Sequence, residues 1–130
     1  LNNTGSKLIV VLSAIVFVAY GFGFALAPGY LSQVVTGSMP SSASGLIDMR
    51  ATYGGMSIAV GVLLLLLSRS DLRQGLIGVL LLMLCMAVAR AYGILTDGTA
   101  NTLMYAYLVL EVAIAFTAGV LAARAGRNGL

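Results

Sequence analysis

The sequence predicts an all-α integral membrane protein, a bundle of four transmembrane helices with both termini in the cytoplasm. Three observations lead there. Of the 130 residues, 60% are hydrophobic and only 8% are charged, against about 25% charged in soluble domains. The apolar residues gather into four runs of about 20, the length a helix needs to cross the hydrocarbon core. The polar residues collect in the stretches between. A soluble fold of this length has too much surface for its volume to hide so many apolar side chains. A bilayer acting as solvent removes that difficulty. The length suits one membrane domain, residues 1–130, without a separate soluble module.

The first run, residues 8–27, carries no charge and is closed by Pro28-Gly29. Lys7, the apolar stretch and Ala25-Leu26-Ala27 imitate a signal peptide. The stretch is longer than a usual signal core, and Pro28 would follow the cut directly, so it reads as a retained span. Residues 28–47 hold both prolines, Pro28 and Pro40, and the run Ser41-Ser42-Ala43-Ser44-Gly45, which is loop composition. Within them, Tyr30 to Val35 fits a short interfacial helix or an irregular loop equally well. The second span is placed at 48–67, with Asp48 near its start, where the helix dipole favours an acid. Ser68 to Gln74 reads as a charged turn. The third span covers 75–95. Thr96 to Asn101 is a second turn, with Asp97-Gly98 as pivot and Asn101 as a cap for the fourth span, 102–123.

Charge sets the expected orientation. Lys7, Arg69, Arg73, Arg124 and Arg127, five of the seven basic residues, fall on one side. The positive-inside rule assigns that side to the cytoplasm. All six tyrosines (Tyr20, Tyr30, Tyr53, Tyr92, Tyr105 and Tyr107) lie nearer the other end. They suit an interfacial aromatic belt, or the wall of an outward-facing pocket.

Composition also excludes functions. Cys85 is the sole cysteine, so no internal disulfide forms, and its apolar surroundings make it a small hydrophobe. With no His and four acidic residues, the chain has no ordinary zinc or haem ligand set, and no cofactor is expected. The net charge of +3 comes from scattered residues without a basic face, which argues against nucleic acid.

Arg50, Arg90 and Glu111 stand inside the expected spans. Charges at such depth are costly; they usually face a bundle interior and pair. Arg50, about 3 Å inside its span, can snorkel; Asp48 and Asp97 are its candidate partners. Arg90 is about 7.5 Å from the outer end of the third span, and Glu111 about 13 Å into the fourth. Helical side chains lean toward the N-terminus. Arg90 therefore leans inward and Glu111 outward, and the two converge. An Arg90–Glu111 ion pair is predicted, serving either helix packing or a functional site. For close approach, Ala19/Gly23, Ser57/Gly61, Ala89/Gly93 and Ala115/Gly119 have small-xxx-small spacing. Gly54-Gly55 would admit a neighbouring helix or a ligand, or bend the span.

The stretches Asp48-Met49-Arg50-Ala51-Thr52-Tyr53-Gly54-Gly55 with Gly61, Arg90-Ala91-Tyr92-Gly93-Ile94-Leu95-Thr96-Asp97-Gly98, and Leu110-Glu111-Val112 resemble the signature of domain-of-unknown-function family 4345. These are small bacterial four-helix membrane proteins, loosely similar in fold to the DoxX-like group. The likeness spans about residues 15–120. Where the family often has Glu-Leu-Arg-Ala, this chain has Asp48-Met49-Arg50-Ala51. The resemblance implies that Arg50, Tyr53, Gly54, Gly55, Arg90, Gly93, Asp97, Gly98 and Glu111 form one constellation, and it implies no activity.

Two functions remain from different classes. In the first, the chain is a non-catalytic accessory subunit or scaffold in the bacterial inner membrane, bound to a larger membrane protein or to its own copies. In the second, it binds a lipid, quinone or other amphipathic molecule in an outer-half pocket. There Arg50, Arg90 and Glu111, with Asp97, would give polar contacts, and Tyr53, Tyr92 and Tyr107 the walls. Gly54, Gly55, Gly61 and Gly93 would allow close helix approach. An enzyme would need Glu111 as acid or base; no residue set satisfies an active-site checklist, so no catalytic residue is assigned.

Overall fold

The computed structural model describes residues 3–97 and 99–127. Among them there is no strand. In chain order the elements are α1 (Asn3–Leu26), α2 (Pro28–Thr36), α3 (Ala43–Met49), a π-helical turn (Arg50–Gly55), α4 (Met56–Ser70), α5 (Leu72–Thr96) and α6 (Thr102–Arg127). Among the described residues, four helical stretches are long and apolar enough to cross a membrane: Asn3–Leu26, Ala43–Ser70, Leu72–Thr96 and Thr102–Arg127. The fold is therefore all-α, with the four spans a membrane helix bundle requires. The chain divides into two compact units, Leu12–Leu63 and Leu1–Val11 with Leu64–Leu130.

In the unit Leu12–Leu63, α1 crosses the π-helical turn and α4 antiparallel through glycines. A Cβ on Gly61 would stand 2.6 Å from the Ala14 carbonyl oxygen, and one on Gly21 would stand 2.7 Å from that of Gly54. Only hydrogen fits at such points, because neither backbone can retreat. α1 stops at Leu26 and α2 begins at Pro28, which suits a first-turn position because it needs no N–H there. α2 buries Pro28, Ser32 and Val35 and exposes Tyr30 and Val34. It ends on Gly37 at φ 81°, a left-handed residue whose N–H donates to the Gln33 carbonyl. The Ser32 hydroxyl donates to the Ser38 carbonyl at 2.7 Å, closing the connection. Of the two readings open for Tyr30 to Val35, the structure has the helix.

The second span departs from its expected bounds. It starts at Ala43 instead of residue 48, so part of the expected polar loop is helical. The reason is Ser42: extended at φ −119°, ψ 153°, its hydroxyl accepts from the Gly45 N–H at 3.0 Å and caps α3. The Ser-rich composition that marks loops also marks helix starts. Asp48 consequently sits at the far end of α3, away from the N-terminus where the dipole would favour it. After Met49 the helix widens, and the Met56 N–H donates to the Ala51 carbonyl, five residues back.

In the other unit α5 and α6 pack antiparallel. α5 buries Gly75, Leu76, Val79, Met83 and Ala87; α6 buries Glu111, Ala115, Ala118 and Ala122. Both stripes recur every three or four residues, one face of a helix. The expected charged turn at 68–74 shrinks to one residue: α4 continues to Ser70, and Asp71 caps α5 by accepting from the Arg73 N–H at 2.8 Å. Asn101 caps α6, its side-chain oxygen accepting from the Met104 N–H at 3.1 Å. Val88, Leu95, Val109 and Phe116 are exposed, Leu95 by 84%. In water such a surface would drive aggregation; within a membrane it is left for lipid or another helix to cover.

Candidate functional site

Arg90 follows Ala87 by three residues, so it extends the stripe of α5 that faces α6. Glu111 opens the buried stripe of α6 and is 4% exposed. Their side chains meet in a forked geometry. Arg90 Nη2 donates to Glu111 Oε1 at 2.6 Å, and Arg90 Nε lies 3.0 Å from both Oε1 and Oε2. This planar match is the strongest pairing an arginine makes with a carboxylate. The guanidinium has two further neighbours on the same side of α6, one and two turns before Glu111. Its carbon lies 5.3 Å from the Tyr107 ring centroid, within cation–π range. Arg90 Nη1 is 3.2 Å from Met104 Sδ. Each charge thus has a formal counter-charge inside the helix pair, and an aromatic ring covers the cation.

The remaining residues near the C-terminal end of α5 do not join this cluster. Tyr92 is 70% exposed and, with Leu84, Cys85, Val88 and Ala89, lines a shallow apolar groove. Asp97 is exposed at the end of α5, where the Thr96 hydroxyl donates to its carboxylate at 3.1 Å. Among the described residues, a Cβ on Gly93 would meet only that same carboxylate, at 3.2 Å, and no other helix of the chain. Gly98 lies outside the described residues.

Arg50 has a different environment from the one expected. Its Nη1 donates to the Ala25 carbonyl, and lies 3.4 Å from the Leu26 carbonyl. These are the last two residues of α1, whose terminal carbonyls lack helical partners. The partner of Arg50 is therefore a helix C-terminus, in place of Asp48 or Asp97. Because the span begins at Ala43, Arg50 is its eighth residue instead of its third. Tyr53 stacks on Phe24 at 5.3 Å, and Phe24 on Tyr20 at 4.8 Å.

Gly54 and Gly55 differ sharply. A Cβ on Gly54 would lie 2.9–3.1 Å from the Ala25 backbone N, Cα and Cβ, while at Gly55 the nearest atom is the Arg50 carbonyl oxygen at 4.0 Å. Gly54 is a close-approach residue, as is Gly61; Gly55 is exposed. Sequence reasoning missed Gly21 and Met104. The spacing of Gly21 seven residues from Ala14, matching Gly54 to Gly61, was the available signal for the first. Met104 carried none.

Four membrane-length helices, with charges paired between two of them, define a multi-pass integral membrane protein. The sequence model of the family described as domain of unknown function (DUF4345) matches residues 5–122, and the chain belongs to that family. No curated protein and no solved structure matches the chain.

Proposed function

We propose that this chain is a non-catalytic accessory subunit or scaffold that binds a larger membrane protein, or copies of itself, in a bacterial inner membrane with both termini cytoplasmic. The observation that supports this reading is the forked Arg90–Glu111 pair. A general acid or base must exchange a proton with a substrate. Here both carboxylate oxygens already accept from one guanidinium at 2.6–3.0 Å. The pair thus acts as a clamp between α5 and α6, which leaves the outer faces of these helices for association. One such face is a shallow apolar groove lined by Leu80, Leu84, Val112, Ala115, Phe116 and Gly119. Small residues at its floor suit close approach of another helix.

The test is purification from native membranes in a mild detergent. One defined membrane protein, or a second copy of the chain, should co-purify in fixed stoichiometry. Gly119→Leu should release it. A wild-type chain that purifies as a lone monomer under those conditions would refute the proposal.

A further inference from the structure

We infer that Arg50 and the helix face around it bind the phosphate of an anionic phospholipid, at the membrane surface where α1 ends. The level comes first. The guanidinium rests on the carbonyls of Ala25 and Leu26, the last residues of α1. α1 has 24 residues, or about 36 Å, slightly more than the hydrocarbon thickness of about 30 Å. Its end is therefore where acyl chains give way to headgroups. α2, which begins at Pro28, starts at the same level and exposes Tyr30, a side chain suited to that boundary.

The donors come second. Only Nη1 of Arg50 is engaged, and Nε and Nη2 have no hydrogen-bond partner among the described residues. The one ion pair among those residues joins Arg90 to Glu111. The end of α1 gives Arg50 a partial negative charge, not a formal one. A cation exposed at a membrane surface attracts anionic lipid headgroups. A phosphodiester supplies one negative charge, and its two free oxygens match the planar guanidinium edge.

The surroundings decide between a lipid and a free anion. Ile47, Tyr53 and Met56 flank Arg50 along the same helical stretch and are 66%, 49% and 60% exposed. A free phosphate would leave these apolar surfaces bare. A phospholipid covers them with its glycerol and upper acyl chain while its phosphate meets Arg50. The inference does not depend on the accessory-subunit reading.

The experiment is native mass spectrometry of the full chain in detergent micelles, titrated with dioleoyl phosphatidylglycerol, with dioleoylglycerol, or with inorganic phosphate alone. Wild type should hold one phosphatidylglycerol at a lipid concentration about tenfold lower than Arg50→Gln needs, the loss expected for one charge-assisted contact. Dioleoylglycerol should not distinguish the two proteins. Millimolar inorganic phosphate should not displace the lipid. Ile47→Glu leaves the contact of Arg50 with α1 in place and puts a carboxylate about one turn away. It should weaken the adduct similarly, so the test stands even if Arg50→Gln fails to fold. Equal phosphatidylglycerol retention in folded Arg50→Gln, or in Ile47→Glu, would overturn the inference. So would displacement by inorganic phosphate, which would make the site one for free anions.

Discussion

Removing either partner of the Arg90–Glu111 pair should cost far more than its share of removing both. Glu111→Leu strands the guanidinium, and Arg90→Met strands a carboxylate that is 4% exposed. Breaking a buried pair from one side costs about 3–5 kcal/mol. The side chain of Arg90 keeps 21% exposure, which places the expected loss at the lower end, about 3 kcal/mol for each single change. Independent sites would then sum to about 6 kcal/mol. In the double variant no charge is left unpartnered and apolar side chains fill the space, an exchange that is often near neutral, so it should lose at most about 1 kcal/mol. The coupling, the sum of the single losses less the double, is thus at least about 5 kcal/mol. It is measured in a double-mutant cycle by titrating the folded protein in mixed micelles with a denaturing detergent and following helicity. Single losses that sum to the double within about 0.5 kcal/mol would refute the clamp.

Gly54→Ala should destabilise by about 1–3 kcal/mol, because its Cβ would press on the Ala25 backbone at 2.9 Å. Gly55→Ala should leave the thermal midpoint unchanged or raised, since glycine in a helix costs up to about 1 kcal/mol and nothing blocks the methyl group. A larger loss at Gly55 than at Gly54 would reverse the assignment of faces. Topology is read by impermeant thiol labelling of intact cells in a Cys85→Ser background. A cysteine at Ser41 should react from outside and one at Arg127 should not; the opposite pattern would invert the protein.

The spans were legible because bilayer thickness imposes a length that composition displays directly. The Arg90–Glu111 contact was legible for a related reason: charges inside apolar runs are rare, and the lean of helical side chains brings these two to one depth. Other features had no such signal. Ser41 to Gly45 has the composition of a loop and also of a capped helix start, and only the Ser42 hydroxyl on the Gly45 N–H separates them. Carbonyl acceptors carry no side-chain identity, so the sequence pointed Arg50 toward carboxylates. Small-xxx-small spacing marks a helix face but not what the face meets. A Cβ on Gly23 would meet the Leu31 side chain from α2, whereas Gly21 takes the crossing with α4. The π turn depends on one extra residue per turn, which periodicity over a short stretch does not reveal.

The pairing of Arg90 with Glu111 also constrains how the chain enters a membrane. Each of α5 and α6 alone would carry an unneutralised charge into hydrocarbon, a penalty of about 2.5–3.5 kcal/mol for an arginine or an acid at the centre of an inserting segment. As a hairpin they carry none, since the two charges are already on each other. The connection from Asp97 to Asn101 is short enough for both helices to leave the translocation machinery together. Insertion of α5 and α6 as one hairpin therefore avoids a penalty that stepwise release of either helix to lipid would incur.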